Sequence, residues 1–518
     1  MNKVKYKKLN LKIYKRIKDL ETIEILALLI AILIILPIFS FFKEGLNTIL
    51  NGNFSISITG KKEIIGSITV LFLTSIFGGS LGIINGWTLS NCEFKFRKTL
   101  RICQLIPLAA PAYLLTSILQ DLGSIMGYQI TGIWWGVLIL SISTYPYVFI
   151  LTNESFNKFG KNQILASRGL GVGPWKSFIR IALPMALPSL VTGISLMCME
   201  VMNELGTFEM LNIPSISTGI TESWIEDGNP SRAIGLSLIA LIIVFSLIFA
   251  EKFSRKKTRR WSENPSLNNS QAWNLKNYRS FAAILLALFP AIFSLGIPIL
   301  WVSINIDQIQ RGFNTELLTL TIRTIGLGAI VAFLAMSFSI LLSLANRWNK
   351  GVLINITTFL SGIGYAIPGT VLAISLLTLT NSKFFIAPII LLIWGYITRF
   401  LTISKGAIDS GLERVSPNID EAAAILGANQ TKIIKRIHMP ILKGPIFVGT
   451  LLVFVDTIKE LPLTFLLRPF NFDTLSVRIY QYAGDERMAE ALLPAIMITI
   501  LGLIASSTLI PSLENYEN

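Results

Sequence analysis

Apolar runs of some twenty residues recur along this chain, separated by short polar segments. The first set covers 23–42, 64–88, 99–120, 131–152, 184–204 and 233–251. A second set covers 280–301, 324–345, 353–379, 384–403, 441–459 and 489–511. A helix rises about 1.5 Å per residue, so each run is long enough to cross the ~30 Å hydrocarbon core of a bilayer. In lipid every backbone polar group needs an internal partner, which helices of this length supply. The pattern predicts an all-α integral membrane protein with about 12 transmembrane helices. Between the sets lies one polar, basic stretch, Glu251 to Asn277. The expected organisation is a first half over 1–250, including the basic amino-terminal segment, a linker over 251–278 and a second half over 279–518.

The two sets repeat one another at an offset of 256 residues. Gly427 falls on Gly171, Ile437 on Ile181, Pro440 on Pro184 and Ala489 on Ala233. Ala110-Pro111 matches Ile367-Pro368 after a shift of one. Six spans per copy is an even number, so both copies keep the same orientation in the membrane. The expectation is two parallel six-span repeats.

Composition and charge sharpen this picture. Of 518 residues, 52% are hydrophobic and only 14% are charged, against about a quarter charged in soluble domains. The formal charge of +15 would suggest nucleic acid in a soluble protein. Here the lysines and arginines sit mainly between spans, as orientation signals do, so no nucleic-acid partner is expected. Lys95, Arg97, Lys98, Lys176, Arg180, Lys405, Lys432, Lys435 and Arg436 all fall in loops on one side, while Arg232 is the only basic residue in loops 121–130 and 205–232. Lys61 and Lys62 run against the bias. The first span lacks a small-x-small cleavage pattern and reads as uncleaved. A plasma (inner) membrane location is expected, with both termini cytoplasmic.

Three cysteines, Cys92, Cys103 and Cys198, have no metal-like spacing, and the chain has one histidine, His438. No disulfide framework, stable metal site or cofactor is expected.

Two loops on the basic side carry the clearest motif. The stretch EAAAILGANQTKIIKRIHMP runs from Glu421 to Pro440. Pro417 suits a helix first turn, where its missing N–H costs nothing. Asp420 and Glu421 place negative charge near the helix amino end. Glu421, Ala422 and Ala423 open a short helix with a shallow surface. Gly427 permits a positive-φ turn, Asn429 caps a second helix, and Pro440 opens the next span. The displaced copy, LASRGLGVGPWKSFIRIALP, keeps Gly171 and Pro184, with Gly173-Pro174 as cap and start and Phe178, Ile179 and Ile181 as the apolar face. A pair of such loops suits a two-fold partner. An amphipathic helix resting on lipid headgroups is the alternative.

These loops resemble the EAA loops of permease subunits in binding-protein-dependent ABC importers. The first departs from the pattern: Leu165 stands where the leading glutamate would, and Ser167-Arg168 replaces two alanines. A second block, FVDTIKELPLTFLLRPFNFDTL from Phe454 to Leu475, resembles the fused ferric-iron permeases, as do Tyr145-Pro146-Tyr147 and Gly364 to Gly369. The resemblance implies a type I importer permease fold, two copies of an ABC ATPase docked on the loops, a periplasmic iron-binding protein and ferric iron as substrate. No catalysis is expected of this chain: at Gly171 to Ser177 a P-loop would need glycine where Trp175 stands. A permease for thiamine or another small solute is the nearest alternative, and a secondary transporter with parallel repeats is one from another class.

The repeat also aligns four acids. Glu200 falls on Asp456 and Glu204 on Glu460, each pair spaced by four and so on one helix face. Carboxylates suit a hard cation, and ionisable groups in spans are costly unless they face water or partners. An acidic ring on the substrate path is one reading. The other is structural, with Lys459 pairing Asp456 while Asn203 occupies the matching place in the first half.

Overall fold

The computed structural model describes residues 2–51, 57–158, 166–167, 169–258, 273–308, 315–348, 351–380, 386–413 and 415–507. Among the described residues, each of the twelve apolar runs is mainly helical. Among the described residues, nine helices are long and apolar enough to cross a membrane. Two more spans are broken: Arg97–Leu108 with Ala112–Ile125 bends by 87°, and Ile354–Ala366 with Gly369–Thr380 by 117°. The twelfth, Met488–Ile504, is a shorter apolar helix. The breaks fall at Pro111 and Pro368, the prolines that the repeat aligns. Proline lacks an N–H and holds the residue before it out of the helical region.

In chain order the first repeat contains α1 (Asn2–Leu50), α2 (Ile58–Asn91), α3 (Arg97–Cys103), α4 (Ala112–Ile125), α5 (Ile133–Lys158), α6 (Leu183–Asn203), α7 (Gly206–Met210), α8 (Ile216–Ile225) and α9 (Pro230–Thr258). The second contains α10 (Tyr278–Ala291), α11 (Ile297–Ile304), α12 (Thr315–Trp348), α13 (Val352–Ser361), α14 (Gly369–Thr380), α15 (Pro388–Glu413), α16 (Pro417–Ile425), α17 (Met439–Lys459), α18 (Pro462–Leu467), α19 (Leu475–Gly484) and α20 (Met488–Ser507). At the repeat offset α17 overlies α6 residue for residue. Both are preceded by a five-residue π-helical turn, Phe178–Ala182 in one copy and Ile434–His438 in the other. The only strands among the described residues are Cys92–Glu93 and Trp273–Asn274, a two-residue parallel ladder pairing Cys92 with Trp273.

The chain forms two compact units. One contains Met1–Leu46 and Ile322–Phe472, the other Asn47–Thr321 and Asp473–Asn518. In the first unit, α1 sets Ala27, Ile30 and Ile34 against Leu342, Ala345 and Leu401. Trp394 Nε1 also donates to the Leu33 carbonyl at 2.9 Å. The opening helix of one repeat is thus built onto the core of the other. The second unit does the same with α10 and α11. Gln104 Nε2 donates to the Ala287 carbonyl at 2.7 Å, and Trp301, fully buried, donates to Asp121 Oδ2 at 2.7 Å.

Close helix contact in the second unit rests on small residues. Gly78, Gly82 and Gly86 recur every fourth position on α2 and face α5. A Cβ at Gly82 would stand 2.7 Å from Val148 Cβ, and one at Gly86 2.6 Å from Thr152 Oγ1. Without a solvent-driven hydrophobic term between spans, association relies on such packing.

Candidate docking loops and acidic helix breaks

Both loops form the same backbone turn. In the second, α16 ends as Leu426 N–H donates to Ala422 O at 3.1 Å and Ala428 N–H reaches back to Ala423 O at 3.0 Å. Gly427, at φ +83°, makes the left-handed residue this closure requires. In the first, Leu170 N–H donates to Ala166 O at 3.1 Å, Val172 N–H to Ser167 O at 3.0 Å, and Gly171 sits at φ +77°. Asn429 Oδ1 then accepts from Lys432 N–H at 3.0 Å, the cap that starts the next helix. Gly173 and Pro174 occupy the corresponding cap and first position. Leu165 lies outside the described residues.

Each turn presents bare apolar surface. Leu170 is 82% exposed and its counterpart Leu426 87%, with Ile425 beside it at 86%. Glu421 and Ala422 are exposed and Ala423 half-buried, so the helix offers a shallow face. Pro184 and Pro440 stand exposed in the first turns of α6 and α17. The apolar face expected in the first copy is only partly buried: Phe178 is buried and Ile181 half-buried, but Ile179 is exposed. In the second copy Ile433 is buried, Ile434 and Ile437 are half-buried, and Lys432, Lys435 and Arg436 are exposed.

The base of each loop is fastened differently. In the first, Phe178 enters an aromatic cluster with Trp87, Phe156 and Trp273; Trp87 lies 5.4 Å from Phe156, 5.3 Å from Phe178 and 5.6 Å from Trp273, centroid to centroid. In the second, Ile434 and Trp348 pack on buried Leu344, Leu412 and Leu442, Trp348 lies 6.1 Å from the His438 ring, and charged groups are added. Arg347 Nε donates to Asp420 Oδ2 at 2.7 Å, and Trp348 Nε1 approaches the same oxygen at 3.3 Å. His438, fully buried, places Nε2 3.0 Å from Asp420 Oδ1. The rest of the Arg347 fork reaches the carbonyls of Leu412, Val415 and Ser416.

The four aligned acids lie at the ends of α6 and α17. Glu204 closes α6, and its Oε1 accepts from Thr207 N–H at 3.2 Å and Thr207 Oγ1 at 2.8 Å. Glu460 closes α17. Its oxygens accept from Leu463 N–H at 3.0 Å, Thr464 N–H at 3.1 Å and Thr464 Oγ1 at 3.0 Å. Each glutamate therefore ends a long helix and caps the short helix after it, α7 or α18, where unpaired N–H groups need acceptors. Asp456 pairs with Lys459 at 2.9 Å, and Glu200 is half-buried in the last turn of α6. Glu460 is 5% exposed, and Arg399, at 2%, is likewise buried. Arg399 donates to the Ile367 carbonyl at 3.0 Å and lies over the Tyr365 and Phe400 rings.

Sequence reasoning passed over Arg399, although an arginine inside the apolar run 384–403 is itself a signal. It read Asp420 as a helix-dipole residue, and Arg347, its partner 73 positions away, carries no local mark. Among the described residues no group of three or more His, Cys, Asp or Glu side chains could hold a metal ion.

Repeated spans, broken helices and a paired exposed helix–glycine–helix turn define a multi-pass membrane permease. The chain belongs to the family of binding-protein-dependent transport system inner membrane components, which matches residues 78–258 and 335–510, once in each repeat. It is 21% identical over 450 residues to the Fe(3+)-transport system permease protein FbpB 2 of Haemophilus influenzae, covering 85% of this chain and 87% of the relative. Shorter similarities reach two Escherichia coli proteins. The sulfate transport system permease protein CysT is 27% identical over 26% of this chain and 53% of its own length. The molybdenum transport system permease protein ModB is 26% identical over 38% of this chain and 93% of its own.

Proposed function

We propose that the chain is the transmembrane permease of an ATP-driven importer for ferric iron. The observation that carries the importer reading is the matched pair of loops, each with a glycine turn and an exposed leucine, Leu170 or Leu426. An exposed leucine gains about 1.5–3 kcal/mol on full burial, so two such tips are apolar plugs for grooves on a partner. Two copies of an ABC ATPase fit this demand, one per loop. A periplasmic binding protein delivers the solute to the opposite face, and both chain termini lie on the ATPase side. ATP-driven closure of the ATPase pair moves the loops, and nucleotide states that bind one arrangement better shift the permease between outward and inward access.

Ferric iron is favoured by the similarity to an Fe(3+) permease along most of both chains. Glu200, Glu204, Asp456 and Glu460 are the proposed cation path, with Glu204 and Glu460 also holding the helix breaks open. The sulfate and molybdenum relatives support an oxyanion as the second reading. The test is reconstitution of the full chain in proteoliposomes with a candidate ATPase and binding protein. Radioactive iron should enter only with ATP and be insensitive to excess sulfate, molybdate or thiamine. Uptake of an oxyanion or thiamine in place of iron would overturn the substrate. ATP-independent uptake would overturn the importer reading itself. Leu426→Asp and Leu170→Asp should each release ATPase without unfolding the chain, because both side chains are solvent-exposed.

A further inference from the structure

Both docking loops rest on an apolar base, and the second adds a polar fastening with a single hub. Asp420 lies in the first turn of α16, the helix that would enter the ATPase groove. One of its oxygens binds Arg347 and faces Trp348, on the last turn of α12. The other faces His438, in the π turn that leads into α17. Arg347 adds three bonds to the carbonyls at the end of α15 and in the segment leading to α16. With the shift of one already seen at Pro111 and Pro368, the repeat puts Ser90, Asn91, Ile164 and Ala182 at the places of Arg347, Trp348, Asp420 and His438, so the first repeat lacks the residue types of this hub.

A helix of nine residues has little stability of its own. Tied only through its flanking turns, α16 would yield when pushed. Asp420 is 12% exposed, and Arg347 likewise. Their pair is therefore screened less than a surface ion pair, and Asp420 Oδ2 accepts from both Arg347 Nε and Trp348 Nε1. We propose that Asp420 is a positioning residue for energy coupling. It makes α16 move as one piece with the ends of α12 and α17, so that displacement of the second loop reaches two spans together. This rests on the docking reading above.

Two measurements on the full chain separate that reading from this one. The first needs no ATPase: hydrogen exchange at the α16 amides. Asp420→Asn should speed exchange across α16 and leave the middle of α17 unchanged. The second is solute transported per ATP hydrolysed in the reconstituted complex. Coupling free energies between sites span roughly 1–3 kcal/mol, so Asp420→Asn should lower this ratio by about fivefold or more while ATPase still co-purifies. Asp420→Glu, which keeps the charge, should recover most of the ratio, which a mere loss of folding would not allow. Arg347→Lys and His438→Gln give milder lesions if Asp420→Asn fails to accumulate, and each should lower the ratio in part. An unchanged ratio in Asp420→Asn, or in both milder variants, overturns the inference. Failure of the wild-type chain to retain ATPase would instead overturn the docking reading.

Discussion

Replacing Glu460 separates its role as a helix cap from any role as a charge. The Glu460 carboxylate, 5% exposed, accepts from two backbone N–H groups and one hydroxyl at the start of α18. Glu460→Ala strands the two N–H donors in a buried site, while the Thr464 hydroxyl still reaches the Glu460 carbonyl at 2.9 Å. A lost cap costs about 1 kcal/mol and an unmet buried donor about 1–3 kcal/mol, which together give roughly 2–4 kcal/mol. Glu460→Gln keeps one acceptor oxygen but turns an amide N–H₂ toward a donor, so about 1–3 kcal/mol is lost. Glu204 differs, because both Thr207 bonds fall on the single oxygen Oε1. Glu204→Gln can keep both of these bonds, whereas the Glu460 donors are divided between two oxygens. Thermal unfolding of the purified chain in detergent should therefore rank Glu204→Gln nearest wild type, Glu460→Gln below it and Glu460→Ala lowest. Iron uptake in proteoliposomes then reads the charge. A well-folded Glu204→Gln protein with depressed uptake supports the cation path, and unchanged uptake in Glu204→Gln combined with Glu460→Gln removes it. A Glu460→Ala chain that melts with wild type would refute the capping analysis.

Gly427→Val forces a β-branched residue to φ +83°, costing about 1–2 kcal/mol or more at the turn. It should depress transport per ATP more than substitutions at Leu165, and equal transport in the two would count against the greater share of the second loop. Gly82→Val places a Cβ 2.7 Å from Val148 Cβ and must separate α2 from α5. Overpacking of this kind costs about 1–3 kcal/mol or more, so lower yield and an earlier melt in detergent should follow; an unaltered melt would contradict the helix contact. Burial pushes the Cys92 thiol up to about 11, with Arg97 only partly offsetting it. At pH 8 only about one thiol in a thousand is then ionised, so maleimide should label Cys92 slowly until the chain is unfolded, and rapid labelling of the folded protein would contradict its burial.

Much of the loop geometry was legible because it is local. Gly427, Asn429 and Pro417 announce a turn, a cap and a helix start through their own backbone chemistry, and all three stand there. The proline pair matched between repeats stands at the two broken spans, but its alignment served only to mark the repeat and did not announce the bends. The π turns were not legible, since FIRIA and IKRIH read as ordinary helix. Nor were the roles of the aligned acids. A glutamate at the end of an apolar run suits a cation path and a helix cap equally well by residue type alone, and the position of Thr207 or Thr464 is what makes it a cap.

The sequence by itself determined the spans, their duplication and the two glycine turns. Apolar length, repeated spacing and positive-φ residues act through the nearest few residues and the surrounding lipid. Only the tertiary structure decided that α1 packs on the core of the second repeat and that α10 and α11 pack on the core of the first. Only there does Asp420 meet Arg347 and His438. Apolar helices are interchangeable in composition, and a carboxylate accepts any nearby donor. Which partner each one finds is set by packing between segments far apart in the chain.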